Sequence, residues 1–156
     1  VHGAAMAGGL GLACAGDIVV VTRDTQFALT ETLIGIPPAQ IAPLVVQRTG
    51  VAAARRIMLT AARFDGTEAL RLGIADYLVD DVSKLAGIET SIRKAVRGCA
   101  PGANAATKEL VLAASRLDRD SMIDLAAERF ASCLLGEEGR EGVASFLGKR
   151  KPRWAE

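Results

Sequence analysis

The chain has 156 residues, half of them apolar, and its 19 Lys and Arg nearly balance its 18 Asp and Glu to a net charge of +1. That is long enough for one domain with a real core. Near-neutrality excludes a general attraction to nucleic acid or an anionic membrane, and apolar runs such as Ile18 to Val21 are far too short to span a bilayer.

Val1-His2-Gly3 opens the chain as a strand-like fragment and runs into a glycine-rich turn, Ala7-Gly8-Gly9-Leu10-Gly11, without a polar leader. Leu12 to Ala15 can continue as a short buried helix, and Asp17 to Thr22 is a β-branched run that reads as a central strand buried on both faces. Arg23-Asp24-Thr25 is a polar turn, Phe27 to Ile34 returns toward the core, and Gly35-Ile36-Pro37-Pro38 marks a loop. Helical patterns follow over Ile41 to Arg48, Ala52 to Thr60 and Thr67 to Leu72, with Gly50 and Gly73 as stops. Tyr77-Leu78-Val79 is a short strand, and Val82 to Val96 and Asn104 to Ser115 are helices on either side of Pro101-Gly102. Near the end, Ser121 caps a helix with Asp124 three positions on, and Met122, Ile123, Leu125, Ala126, Phe130, Cys133 and Leu134 form an apolar stripe for core packing or for another subunit.

Cys14, Cys99 and Cys133 are odd in number and widely spaced, so they read as reduced core residues in a cytoplasmic protein, and no metal site is expected. His2 is the single histidine and has no triad partner in view, which leaves acid–base chemistry to carboxylates.

Three readings compete for the glycine turn. Gly9-x-Gly11 with Gly16 has a superficial likeness to a dinucleotide fingerprint, but Glu31, near the expected acidic position, is followed by Thr32 to Gly35 and prolines instead of ending a strand. A plain packing turn is the second reading. In the third, backbone N–H groups of the turn cradle an anion or oxyanion, and Glu31, the one carboxylate in an uncharged stretch, gives and takes a proton beside it.

The run Val1-His2-Gly3-Ala4-Ala5-Met6-Ala7-Gly8-Gly9, then Leu12-Ala13, Asp17, Phe27, Glu31, Gly35, Gly73-Ile74-Ala75 and the ending Glu141 to Arg150 resemble the crotonase (enoyl-CoA hydratase/isomerase) superfamily. The resemblance extends over the whole chain in family order. It implies an α/β ClpP/crotonase-like fold, with a partial core of ββα units over residues 1–98 and a helical C-terminal region over 99–156 that builds trimers or dimers of trimers. The chain would correspond to about the C-terminal three-fifths of a family domain, so that several strands, much of the CoA-binding surface and one oxyanion-hole donor would precede it.

The resemblance also assigns roles. Gly8 matches the glycine whose N–H polarises the thioester carbonyl, and Glu31 matches the second of two acid–base glutamates. Gly11 stands at the first glutamate's position, where it can neither hold a water nor move a proton. Phe146 and Lys149 match positions that help cover the adenine and phosphates of coenzyme A, which enters as part of an acyl-CoA substrate and not as a separate cofactor. The segment Ile36 to Val46 looks most like bacterial methylglutaconyl-CoA and isohexenylglutaconyl-CoA hydratases. The one-glutamate pattern is shared with Δ3,Δ2-enoyl-CoA isomerases, and a non-catalytic acyl-CoA-binding subunit is a third possibility.

Overall fold

A computed structural model describes residues 1–155 and divides the chain into two compact units, Val1–Glu89 and Thr90–Glu156. The division falls inside a helix, whereas the resemblance suggests residues 98 and 99 as the boundary.

In the first unit, β1 (Ala4–Met6), α1 (Gly8–Cys14), β2 (Val20–Thr22) and β3 (Gln26–Ala28) lead into a 3-10 turn, Glu31–Ile34. Next come α2 (Ala42–Leu59), β4 (Arg63–Phe64), α3 (Gly66–Arg71) and β5 (Tyr77–Val79). β3 lies between β1, to which it is parallel in the register Ala4 to Gln26 and Met6 to Ala28, and antiparallel β4. β2 pairs in parallel with β5. Along the opposite edge of β2, the Val1 nitrogen donates to the Val20 carbonyl at 2.5 Å and the Val1 carbonyl accepts from the Thr22 N–H at 3.1 Å. The β-branched run is therefore flanked on both edges, as its composition predicts, but its burial begins at Val19 because Ile18 is exposed.

The core joins Leu10 of α1, Val21 of β2, Phe27 and Leu29 around the end of β3, Val45 and Ile57 of α2, and Ile74 after α3, all without solvent exposure. Each such side chain contributes about 1.5–3 kcal/mol by leaving water. Phe27 stacks on Phe64 with ring centroids 5.5 Å apart, which seats the two-residue β4. A strand that short shows no periodicity, and sequence reading assigns nothing there. In α2, Gly50 breaks the helical path with φ 75°, so the two predicted helices are two segments meeting at a kink. The return to the core after Phe27 ends earlier than expected: Leu29 is buried, whereas Leu33, Ile34 and Ile36 face outward.

α4 (Leu85–Arg97) spans the division, and the second unit continues with α5 (Pro101–Ala113), α6 (Arg119–Leu135), α7 (Glu137–Leu147) and a 3-10 turn, Arg153–Ala155. α6 packs against both α5 and α7. Its cap is Asp118, not Ser121: the Asp118 carboxylate accepts from the N–H groups of Asp120 and Ser121, both at 3.0 Å, and so starts the helix earlier. The expected apolar stripe splits along its length. Met122, Leu125, Ala126 and Cys133 are half-buried, while Ile123, Phe130 and Leu134, about a quarter turn further round, point outward. The Glu138 carboxylate caps α5, accepting from Gly102 N–H at 2.9 Å and Ala103 N–H at 3.3 Å, a long-range pairing that no local pattern announces.

The three cysteines are free thiols, but Cys99 is exposed and Cys133 half-buried, so only Cys14 is the core residue expected. Burial pushes the Cys14 thiol up to about 11, which keeps it protonated. Among the described residues no helix is long and apolar enough to cross a membrane.

Candidate active site

The site begins with strand pairing. Because Met6 is opposite Ala28 in a parallel pair, the chain leaves both strands at the same sheet edge, and Gly8 and Glu31 follow within three residues of that edge. The outer carboxyl ends of parallel strands are where α/β sheets bind ligands.

Ala7 makes the turn from β1 into α1. Its backbone sits at φ 50°, ψ −121°, an unfavourable conformation for a residue with a Cβ, held by an Ala7 N–H bond to the Ala28 carbonyl at 2.8 Å. The Ala7 carbonyl then accepts from Leu10 and Gly11, at 3.0 and 3.3 Å. No side chain caps α1, and the N–H groups of Gly8 and Gly9 have no acceptor among the described residues. A Cβ added to Gly8 or Gly9 would meet no residue from elsewhere in the chain within 4 Å, so the Cα side of both glycines is uncovered. The glycine turn thus has the form of a cradle, with its glycines inside the first turns of a helix and not in a loop.

Glu31 starts the 3-10 turn after β3. Thr30 accepts from Leu33 N–H at 3.0 Å, the Glu31 carbonyl accepts from Ile36 N–H at 3.2 Å, and Gly35 closes the turn at φ 79°, a left-handed position that glycine takes without strain. The Thr32 hydroxyl donates to the Met58 carbonyl at 3.3 Å and ties the turn to α2. The side chain of Glu31 is half-buried, and its Oε2 is buried with no hydrogen-bond partner among the described residues. A buried carboxylate oxygen without a donor is uncommon and needs an explanation, such as a function.

Gly11 lies three residues from Gly8, on the same face of α1, and is buried. A Cβ there would fall 2.2 Å from Cγ2 and 2.5 Å from Cβ of Ile41. Sequence reading singles out Gly11 but gives Ile41 no role beyond opening the helical pattern after the proline loop.

The other two candidate positions belong to the second unit. Phe146, in the last turn of α7, is 82% exposed. Lys149 follows with φ 49° and donates its N–H to the Phe146 carbonyl at 3.2 Å. The basic tail around it is largely paired. Arg150 makes a two-pronged bond to Glu141 at 2.7 and 2.9 Å, and Arg153 reaches Glu137 at 2.9 Å, while Lys149 has no ionic partner among the described residues. Glu141 also accepts from the Ser145 hydroxyl at 3.1 Å and the Arg153 N–H at 3.1 Å. The Arg150 guanidinium above all, with Ser145 and Arg153 adding to it, holds the Glu141 carboxyl at about 2, below its ordinary 4.5.

A depressed carboxyl stabilises the fold fully above its ordinary value and ceases to do so as pH falls through about 2. The tail is therefore expected to loosen between pH 4.5 and 2. Fluorescence of Trp154, the single tryptophan, follows this, and Glu141→Gln should remove the transition. An unchanged titration in that variant would show that another group holds the tail.

The enoyl-CoA hydratase/isomerase family model matches residues 1–156, and the chain belongs to that family. The fold is the crotonase fold. The chain superposes on Pseudomonas aeruginosa AtuE with TM-score 0.96 at 49% identity, covering 99% of this chain and 60% of that one. An enoyl-CoA hydratase/isomerase from Marinobacter aquaeolei gives 0.94 at 42% identity, covering 99% and 58%. A peroxisomal Delta(3,5)-Delta(2,4)-dienoyl-CoA isomerase of Arabidopsis thaliana is 31% identical over 99% of this chain and 56% of its own length. The chain spans about three-fifths of the relatives it matches.

Proposed function

We propose that this chain carries the oxyanion-binding and proton-transferring part of an enoyl-CoA hydratase. The observation that carries the reading is the unpartnered Glu31 carboxylate oxygen at the same strand end as the Gly8 N–H, which has no acceptor among the described residues. In this mechanism the thioester carbonyl oxygen accepts from the Gly8 N–H. Glu31 takes a proton from water as the water oxygen bonds to the β-carbon. The double-bond electrons move onto the thioester as an enolate, held at Gly8, and Glu31 returns the proton to the α-carbon. One carboxylate closes this cycle, and dehydration is its reverse.

The acyl group is of the branched glutaconyl type, a choice supported by the likeness of residues 36–46 to hydratases of such thioesters. The substrate's own distal carboxylate would then help orient the water. Phe146 and Lys149 cover the adenine and phosphates of coenzyme A, and the outward Ile123, Phe130 and Leu134 of α6 serve a homotrimer or dimer of trimers. Coenzyme A as part of the substrate is the only cofactor-like group required, and the site is cytoplasmic.

A second reading, Δ3,Δ2 isomerisation, is favoured by the packing at Gly11, which leaves no room for an acid–base side chain at that position. Glu31 would then remove the α-proton of a 3-enoyl thioester and return it to the γ-carbon.

Absorbance of the conjugated thioester distinguishes the two. Loss of signal from 3-methylglutaconyl-CoA in water is the result expected for the hydratase, and gain of signal from a 3-enoyl-CoA would establish the isomerase. Binding of either thioester without turnover would mark a non-catalytic acyl-CoA-binding subunit.

A further inference from the structure

We propose that Ile41 is the residue that closes position 11 to an acid–base group: it fills the space that any side chain there would enter, so none can reach the Gly8 turn from that position. The proposal rests on the reading of Glu31 and Gly8 given above.

In an α-helix each Cα–Cβ bond tilts toward the N-terminus, so a side chain at position 11 would lean toward the Gly8 turn. That volume is taken. The built Cβ lies 2.2 Å from Ile41 Cγ2, 2.5 Å from Ile41 Cβ and 3.5 Å from Cδ1. A rotamer change could swing Cγ2 and Cδ1 away, but it cannot move the Ile41 Cβ, which is fixed to the backbone.

That backbone is held on both sides. The Ile41 carbonyl accepts from Val45 N–H at 3.0 Å, Ala42 N–H donates to the Pro38 carbonyl at 2.9 Å, and the side chain packs on the central core. Relieving the clash therefore means shifting the start of α2. Ile41 also belongs to the segment that carries Glu31, ten residues before it, so one stretch of chain supplies the acid–base and closes off the place of another. With an aliphatic wall there, water receives no carboxylate from position 11, and Glu31 carries both proton steps of the mechanism given above.

The test is a double-mutant cycle on the purified protein, with Gly11→Ala, Gly11→Glu, Ile41→Gly and the two pairs. Each position-11 variant alone should lower the melting temperature by at least about 5 °C. Combined with Ile41→Gly, each should melt several degrees above the sum of the separate losses. Simple additivity would overturn the proposal.

The catalytic readout is the ratio of water addition to double-bond isomerisation. Gly11→Glu with Ile41→Gly should raise it at least about tenfold and add a second ionisation to the pH–rate profile, which repacking alone would not do. Wild-type turnover with an unchanged ratio in that variant would overturn the proposal alone. No turnover of either thioester by the wild type would overturn the enzymatic reading as well.

Discussion

Glu31→Gln is expected to lower turnover about 10²–10⁴-fold while leaving the melting temperature unchanged or raised. Both halves follow from the same oxygen. Glutamine keeps the shape of the side chain, and with it the 3-10 turn, which is built from backbone bonds of Thr30, Glu31 and Thr32 and not from the carboxylate. What it removes is the capacity to hold a proton. A structural carboxylate has donors to lose, and its replacement would destabilise the fold, but Glu31 Oε2 has none among the described residues. Steady-state rates with the two thioesters, together with a thermal melt, decide the matter. Full activity would remove Glu31 from the mechanism, and a lowered melt with proportionate loss of activity would make it a structural residue.

The second large effect is on stability. Gly66→Ala is expected to cost about 3 kcal/mol, because the added methyl carbon would lie 2.1 Å from the Thr22 carbonyl oxygen, 3.0 Å from its carbon and 3.2 Å from Arg23 Cα. All three are backbone atoms and cannot rotate away. Thr22 is fully buried, paired to Val79 in the sheet and bonded through its hydroxyl to Thr25 at 2.8 Å and Asp24 at 2.6 Å, so β2 cannot yield. Gly66 also opens α3, where the Asp65 side chain caps Glu68 N–H at 2.9 Å, and the helix must approach the strand this closely to bury Ala69. With a urea dependence of about 2 kcal/mol/M, the unfolding midpoint should fall by about 1.5 M. Gly87→Ala is the control. It lies inside α4, where an added Cβ meets nothing within 4 Å, and should gain about 0.5–1 kcal/mol from helix propensity. Equal effects of the two substitutions would mean that the approach of α3 to β2 is not fixed.

Much was legible in local pattern. Tyr77 to Val79 is a strand as read, the helices around Gly50 and before Gly73 stop where those glycines stand, and the family resemblance named Gly8, Gly11 and Glu31 from their order alone. Such features depend on neighbours in sequence: the β-branched run, the left-handed glycine, the proline that cannot continue a helix. Where local pattern misled, a competing local bond or a distant contact had decided otherwise. Asp118 took the α6 cap from Ser121, Phe27 drew Phe64 into a two-residue strand, and Leu33 and Ile34 turned outward once Gly35 had closed the 3-10 turn.

The sequence by itself determined the family, the positions of the glycine turn and its carboxylate, and the absence of a carboxylate at position 11, since these are matters of residue type and spacing. Only the tertiary structure decided that Met6 and Ala28 stand side by side, so that turn and carboxylate leave one sheet edge, that Glu31 Oε2 is buried without a donor, and that Ile41 presses on Gly11. Strand register and close packing join residues 20 to 30 positions apart, and the physical reason is that such contacts are set by the whole core at once: no window of the chain contains both partners.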